Sequence, residues 1–195
     1  MARPKEFDPD EALDRAVELF WCKGYEATSI QDLVDALGIN RSSLYGTFGD
    51  KHALYLAAID RYCEDVVAPA IAALDQAQSP LAAIRHLFLS LPTLVTKRPE
   101  RRGCLLCNAA VERAPIDAEV RTEVMGGFDR LGTAFRRALT RGRAAGEIAK
   151  SIDAAALADY RLSSYVGLIV LAKAGRKPAQ LRRTASLVLD TLPAA

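Results

Sequence analysis

Two short amphipathic segments joined by a tight turn constrain this chain more than any other feature. They occupy residues 28–51, TSIQDLVDALGINRSSLYGTFGDK. Apolar residues recur at helical spacing in the first segment, at Ile30, Leu33, Val34 and Leu37. Thr28 or Ser29 supplies a cap for that helix, Gly38 tolerates the left-handed backbone just past its end, and Asn40 can cap the next helix. The stretch therefore predicts a helix-turn-helix.

The second segment presents a polar face. Leu44 and Phe48 lie four residues apart and are expected to point inward. The residues left facing outward all carry hydrogen-bonding side chains: Arg41, Ser42, Ser43, Tyr45 and Thr47. Such a helix fits the major groove of double-stranded DNA, and Tyr45 and the hydroxyls are expected to bind phosphates rather than to choose bases.

Another helix opens directly after Gly49, with Asp50 as its cap and Lys51 in its first turn. Free amides and a lysine at a helix N-terminus favour phosphate binding. The predicted DNA-binding residues are Thr28, Ser29, Arg41, Ser42, Ser43, Tyr45, Thr47, Lys51 and His52.

The run AVELFWCKGYEATSIQDLVDALGINRSSLYGTFGDKHALY resembles the N-terminal DNA-binding domain of the tetracycline-repressor (TetR/AcrR) family of bacterial one-component regulators. Caps, turn, aromatic pair and lysine occur in the same order, over about the first third of the chain. The resemblance implies an all-helical homodimer whose variable C-terminal domain binds a small ligand and changes the spacing of two recognition helices. It also implies a transcriptional regulator, most often a repressor, released from its operator by an inducer.

Composition fits a globular protein without adding support for DNA binding. Half of the 195 residues are apolar, and the net charge is +2. The first 60 residues carry six Lys or Arg and eleven Asp or Glu, a net charge of −5, so the remainder carries +7. DNA binding therefore requires a locally positive contact face, which Arg3, Lys5, Arg41 and Lys51 could form together. Arg3 and Lys5 belong to an N-terminal arm that either contacts DNA or is plain terminus.

The charged N-terminus is unlike a signal peptide, and we expect no apolar run to approach the roughly 18 to 20 residues that span a bilayer. We therefore expect a cytoplasmic protein. The predicted domains are residues 1–50 for DNA binding, a connector helix at 51–67, and a helical ligand-binding and dimerisation domain at 68–195, with about nine helices in total. Pro92 is expected to kink or shorten its helix, and residues 97–103 to form a charged loop that is either an exposed turn or a nucleic-acid patch.

The four cysteines are too few for a disulfide framework, and Cys22 and Cys63 are expected to be small core residues. Cys104 and Cys107 form a CxxC pair, but no second such pair exists and the only histidines are His52 and His86, so neither metal nor cofactor is predicted. Either both thiols fill the core, or one is a reactive thiolate at a helix N-terminus. GCLLCN is similar to the region carrying the sensing cysteine in some electrophile-responsive repressors of the family.

The middle helices are expected to form the effector pocket. Its predicted lining residues are Phe88, Cys104, Cys107, Asn108, Phe128 and Phe135. The second-to-last helix carries more apolar surface than one packed side requires. The resemblance implies that the last two helices form a four-helix dimer interface, which in turn implies a palindromic operator. Two alternatives stay open: a helical enzyme with a cysteine nucleophile, for which a base is lacking, and a structural interaction protein, which leaves the polar face unexplained.

Overall fold

The chain folds into packed helices, as predicted. The computed structural model describes residues 7–96 and 102–191, and within these ranges it contains ten α-helices and no strand. The helices are α1 Pro9–Lys23, α2 Ile30–Leu37, α3 Arg41–Phe48, α4 Lys51–Tyr62, α5 Ala68–Gln76, α6 Pro80–Thr96, α7 Leu105–Glu112, α8 Ala118–Ala144, α9 Ala154–Lys173 and α10 Pro178–Asp190. Because α4 and α5 belong to one uninterrupted rod, the described part of the chain has nine separate helical rods.

The helix-turn-helix forms through the local signals in its sequence. Ser29 caps α2, and its hydroxyl accepts the Asp32 N–H at 3.1 Å while the Asp32 carboxylate accepts the Ser29 N–H at 2.7 Å. Gly38 adopts the left-handed conformation with φ 69°, which ends α2. The Asn40 side chain then accepts the Ser43 N–H at 2.8 Å and opens α3.

The rod that carries Lys51 is longer than predicted. The expected end near Val67 is wrong, because a π-helical turn, Cys63–Val67, joins α4 to α5 and the rod continues to Gln76. In that turn the Ala68 N–H binds the Cys63 carbonyl, five residues back, so the backbone is already widened where Pro69 enters without a donor. Of the two outcomes expected at Pro92, a kink or an early end, the early end does not occur, since α6 runs through Pro92 to Thr96. The domain limits remain a prediction.

The core runs through both halves of the molecule. Phe20, Leu33 and Leu44 are fully buried in the helix-turn-helix half, and Phe88 and Phe135 are fully buried in the other. At Gly127 of α8, a Cβ atom would lie 2.7 Å from Leu106 Cδ1 and 3.1 Å from Cys63 Sγ. The absence of a side chain at Gly127 therefore lets α7 and the π turn approach α8 closely.

The helix α9 corrects one expectation drawn from sequence. By length and composition it is apolar enough to cross a membrane, and 28% of its most apolar window is buried within the protein. Length and composition are weak evidence, because a helix in a protein core passes the same test. Leu168 and Ile169 are buried in the core, whereas Tyr160, Val170 and Leu171 are exposed.

Candidate nucleic-acid interface and cysteine cleft

The exposed face of α3 carries polar side chains. Arg41, Ser42 and Tyr45 are exposed, Ser43 and Thr47 are half-buried, and Leu44 on the opposite face is fully buried. Arg41 Nη2 lies 3.4 Å from the side-chain oxygen of Gln31 on α2, which directs the guanidinium along the surface. An amphipathic helix of this kind offers donors to phosphates and to base edges in a major groove.

Thr28 was predicted to contact DNA, and its position in the structure corrects that prediction. Its side chain is buried, and its hydroxyl donates to the Gly24 carbonyl at 2.6 Å, so it stabilises the loop before α2 and does not face solvent. Ser29 is exposed, but its hydroxyl donates to the Asp32 carboxylate at 2.7 Å as part of the cap. A contact from Ser29 to DNA remains a prediction.

The carboxylate of Asp32, which lies on α2 beside this face, is paired with a lysine. Lys23 Nζ lies 2.6 Å from Asp32 Oδ2. Hydrogen bonds from Lys23 and then from Ser29 hold the pKa of Asp32 well below its usual value, so this carboxylate stays ionised and paired. The Lys23 ammonium therefore neutralises this carboxylate locally, while the net charge of −5 for the first 60 residues, which already includes Lys23, is unchanged.

The side chains of Lys51 and His52 have different surroundings, although both residues lie in the first turn of α4. Lys51 is half-buried, and its Nζ lies 4.2 Å from the centroid of the Tyr25 ring. Burial lowers the pKa of Lys51. His52 Nε2 lies 2.9 Å from Asp117 Oδ2, so this side chain joins α4 to the cap of α8. A contact from His52 to DNA remains a prediction.

The remaining positive charges predicted for the interface, Arg3 and Lys5, lie outside the described residues, and so does most of the charged loop at 97–103.

A second feature is an open cleft of about 370 Å³ beside the helix-turn-helix. It lies where the end of α1 meets α7 and α9, and it contains three of the four cysteines. We call it the cysteine cleft. Its lining residues are Trp21, Cys22, Lys23, Gly24, Gly103, Cys104, Cys107, Asn108, Val111, Glu112, Ile169, Val170 and Lys173. Lys173 Nζ donates to the Asn108 side-chain oxygen at 2.6 Å, which places a cation at the rim.

The Cys104 thiol is the chemically distinctive group in the cleft. It is the N-terminal cap residue of α7 and is almost fully buried. Hydrogen bonding by the Cys107 thiol lowers the pKa of Cys104, and the Tyr62 hydroxyl and the amides of Cys107 and Leu106 act in the same direction and outweigh the effect of burial. The pKa of Cys107 is raised, first because its thiol hydrogen-bonds to Cys104 and second because it is buried.

The other two cysteines differ from each other. Cys63 is a buried core residue as expected, and burial raises its pKa to about 11. Cys22 was also expected in the core, but it is exposed and lines the cleft, because it follows the buried Trp21 by one residue on α1.

The predicted pocket residues separate into two groups. Cys104, Cys107 and Asn108 line the cysteine cleft, and Phe128 lines a smaller apolar cavity of about 70 Å³ that also touches both cysteines. Phe88 and Phe135 line neither cavity. They are fully buried against Tyr165, with ring centroids 5.5 Å and 6.3 Å from it, respectively. Their assignment to an effector pocket is therefore not supported.

Sequence reasoning missed Trp21, Glu112 and Lys173. The first lies on α1, about 80 residues before Cys104, and the last lies on α9, so only tertiary packing brings them together. Trp21 Nε1 donates to the Gly103 carbonyl at 3.3 Å, directly before Cys104. The only sequence signal was that this single tryptophan adjoins a cysteine.

We expect Tyr62→Phe to slow alkylation of Cys104 by iodoacetamide about three- to tenfold at pH 7, because loss of the hydroxyl donor raises the thiol pKa by up to about one unit. The rate and its pH midpoint are measured by mass spectrometry in a Cys22→Ser background, which removes the exposed thiol. Tyr165→Phe is the matched control, since Tyr165 lines the small cavity beside both cysteines but does not donate to Cys104. Equal rates in both variants would contradict this account of the thiolate.

Comparison with known proteins agrees with both halves of this arrangement. Residues 12–58 match the family model "Bacterial regulatory proteins, tetR family", and residues 80–188 match "Tetracyclin repressor-like, C-terminal domain". The HTH-type transcriptional regulator YezE of Bacillus subtilis is 37% identical over 89% of this chain and 90% of its own length. The HTH-type transcriptional repressor ComR of Escherichia coli is 31% identical over 98% of this chain and 91% of its own.

Solved structures of bacterial regulators superpose on this chain over most of its length. A cysteine mutant of the TetR family regulator CifR in complex with 26-base-pair operator DNA superposes with a TM-score of 0.89 at 31% identity, covering 98% of this chain and 100% of that one. The reduced form of NemR from Escherichia coli has a TM-score of 0.86 at 17% identity, covering 95% and 98%, and at this identity the likeness concerns the fold alone.

Proposed function

Because the chain belongs to the TetR family of bacterial transcriptional regulators, we propose that it is a homodimeric repressor that binds palindromic operator DNA through α3 and is released when an electrophile reacts with Cys104. The relatives named as repressors and the operator complex of CifR support the repressor assignment. The residues assigned to DNA are Arg41, Ser42, Tyr45 and Lys51, which have exposed or half-buried side chains at α3 and the start of α4.

The observation that carries the proposal is the position of Cys104. Its sulfur lies in a cleft that is also lined by Gly24 at the end of α1, and α1 is part of the helix-turn-helix half. A covalent adduct on Cys104 therefore forms next to the DNA-binding half of the molecule. In this reaction the thiolate sulfur bonds to an electrophilic carbon, which either expels its leaving group or, at an activated double bond, gives up the π bond and takes up a proton from water. The step needs neither a metal nor an enzyme.

The enzyme alternative has little support in the cleft. Neither of the two histidines of the chain lines it, since His52 binds Asp117 and His86 is exposed on α6. A cysteine nucleophile that turns over requires a base or acid within reach of the reacting atoms. A thiolate that reacts once and stays modified requires only its lowered pKa.

Electrophoretic mobility shifts with the DNA flanking the gene test this function. We expect a retarded complex with one segment, protection of two half-sites related by a dyad, and loss of the complex after alkylation of Cys104. If the protein binds the DNA but no thiol reagent releases it, the repressor assignment stands and the proposed response to electrophiles is ruled out. Release by a compound that does not modify a cysteine would assign the cleft to a reversible ligand.

Dimerisation is proposed through α9 and α10. Tyr160 and Leu171 on α9 and Leu187 on α10 are exposed apolar side chains, and Gly167 lies between the first two with nothing within 4 Å of the position of a Cβ atom. A small residue on an open helix face admits the close approach of a second helix.

We expect Gly167→Glu to convert the dimer into a monomer, because two carboxylates would meet across the symmetric interface, while the fold of each protomer is retained. Light scattering measures the mass, and circular dichroism measures the helix content. Gly146→Glu on the α8–α9 connection is unsuitable as a control because that glycine has φ 73°. Ala155→Glu at the exposed start of α9 serves instead. A Gly167→Glu protein that stays dimeric would place the interface elsewhere.

A further inference from the structure

The far end of the cysteine cleft contains a carboxylate that binds backbone amides of the DNA-binding half. Glu112 is the last residue of α7, and Cys104 caps the other end of the same helix. Glu112 Oε2 accepts the Tyr25 N–H at 3.0 Å, and Oε1 accepts the Glu26 N–H at 2.9 Å. Both oxygens of one carboxylate are thus bound by consecutive amides of the loop between α1 and α2. Charge-assisted hydrogen bonds of this kind are stronger than neutral ones.

The loop is shaped around this carboxylate. Gly24, which precedes the two amides, has φ 85°, and a Cβ atom on it would lie 2.9 Å from Glu112 Oε2. Only glycine therefore fits both the backbone conformation and the space next to the carboxylate. Gly24 and Glu112 line the same cleft as Cys104.

The same loop determines where the reading helices begin. Thr28 binds back to the Gly24 carbonyl, and Ser29 caps α2 directly afterwards. A second contact from α7 supports the loop: Arg113 pairs with Glu26 and with Asp117, and its guanidinium lies 4.6 Å from the centroid of the Tyr25 ring. A shift of the loop therefore shifts the start of α2, and α3 follows it through the turn at Gly38.

We infer that Glu112 is the positioning residue through which the state of Cys104 controls operator affinity. The inference rests on the proposed function above and adds the connection that the function requires. The helix α7 has eight residues and is about 12 Å long. It moves as a rigid unit, so an adduct that displaces its N-terminus withdraws the Glu112 carboxylate from the amides of Tyr25 and Glu26. The freed loop no longer holds α2 and α3 in the geometry that fits DNA.

The test compares operator affinity before and after alkylation in wild type and Glu112→Gln, both in the Cys22→Ser background. Iodoacetamide is the probe: the Cys104 sulfur displaces iodide and becomes a thioether. Glutamine keeps the size of the side chain but presents only one acceptor, so one amide loses its partner. Glu123→Gln is the matched control, because it removes the same charge from an exposed position on α8.

In wild type and in Glu123→Gln we expect alkylation to weaken operator binding within the range of about 5- to 150-fold that is usual for coupled sites. In Glu112→Gln we expect weaker binding before alkylation and a further loss of no more than about threefold, because the connection is already broken. A full alkylation effect in Glu112→Gln would overturn the inference while leaving the proposed function intact. No alkylation effect in wild type would overturn the electrophile response itself, and with it this connection.

Amide hydrogen exchange gives a readout at the connection itself. The N–H groups of Tyr25 and Glu26 should exchange slowly in the unmodified wild type and faster after alkylation, and they should already exchange fast in Glu112→Gln. Gly24→Ala should also make these two amides exchange fast, because the added Cβ atom would crowd the Glu112 carboxylate. If the two amides stay protected after alkylation while the operator is released, the signal travels by another route and the inference is wrong.

Discussion

Cys104→Ser is expected to abolish the response of operator binding to thiol-reactive compounds. The variant should bind the operator as tightly as wild type, because serine retains the size and the capping position at the start of α7. It should then remain bound at concentrations of reagent that reduce wild-type affinity about 5- to 150-fold, since a serine hydroxyl at neutral pH does not react with soft electrophiles. Fluorescence anisotropy of labelled operator measures both affinities.

Cys107→Ala separates the reacting sulfur from its neighbour. Alanine has no side-chain donor, so this variant loses the largest contribution to the lowered pKa of Cys104, and the response should become slower and stay complete at long times. Cys22→Ser should respond as wild type does. A complete response in Cys104→Ser would show that another group in the cleft takes the electrophile, and the role assigned to Cys104 would be withdrawn.

Arg41→Ala combined with Tyr45→Ala is expected to lower operator affinity at least about 30-fold, or roughly 2 kcal/mol, because each protomer loses a charged and a neutral donor to DNA. Both side chains are exposed, so the free energy of unfolding should change little. Lys51→Ala should weaken binding as well, and it should reduce the salt dependence of binding by about one charge per protomer.

Arg85→Ala is the matched control for charge. Arg85 is exposed on α6, whose main packing partners are α5, α8, α9 and α10. If Arg85→Ala and the double variant reduce affinity equally, the effect is one of net charge, and α3 is not the reading helix.

The sequence predicted the elements whose signals are local. The caps at Ser29, Asn40 and Asp50, and the left-handed Gly38, each lie within three residues of the amide or turn that they serve, so a linear reading finds them. The inward Leu44 and the outward Tyr45 follow from helical periodicity alone. Local signals do not reveal a partner that is distant in sequence or the burial of a side chain. His52 binds Asp117, 65 residues later, and the buried Thr28 hydroxyl donates to the Gly24 carbonyl inside its own loop.

The cysteine cleft was predictable only in part. The CxxC motif at the start of a helix marked Cys104, because the N-terminal dipole acts within one turn of the sequence. Tyr62 and Lys173 lie 42 and 69 residues from Cys104 in the sequence. No local spacing therefore predicts that Tyr62 hydrogen-bonds to Cys104 or that Lys173 lines the same cleft. Phe88 and Phe135 were placed in the pocket because large apolar residues in the middle of such a chain serve either core or ligand, and periodicity does not distinguish between them.

The most direct test of the account is one titration with two readouts. Labelled operator is bound by the Cys22→Ser protein, iodoacetamide is added, and anisotropy is followed while mass spectrometry records the modified fraction of each cysteine. We predict that the released fraction of DNA follows the modified fraction of Cys104 in direct proportion. An operator that stays bound when Cys104 is fully modified, or that leaves before Cys104 reacts, would contradict the account.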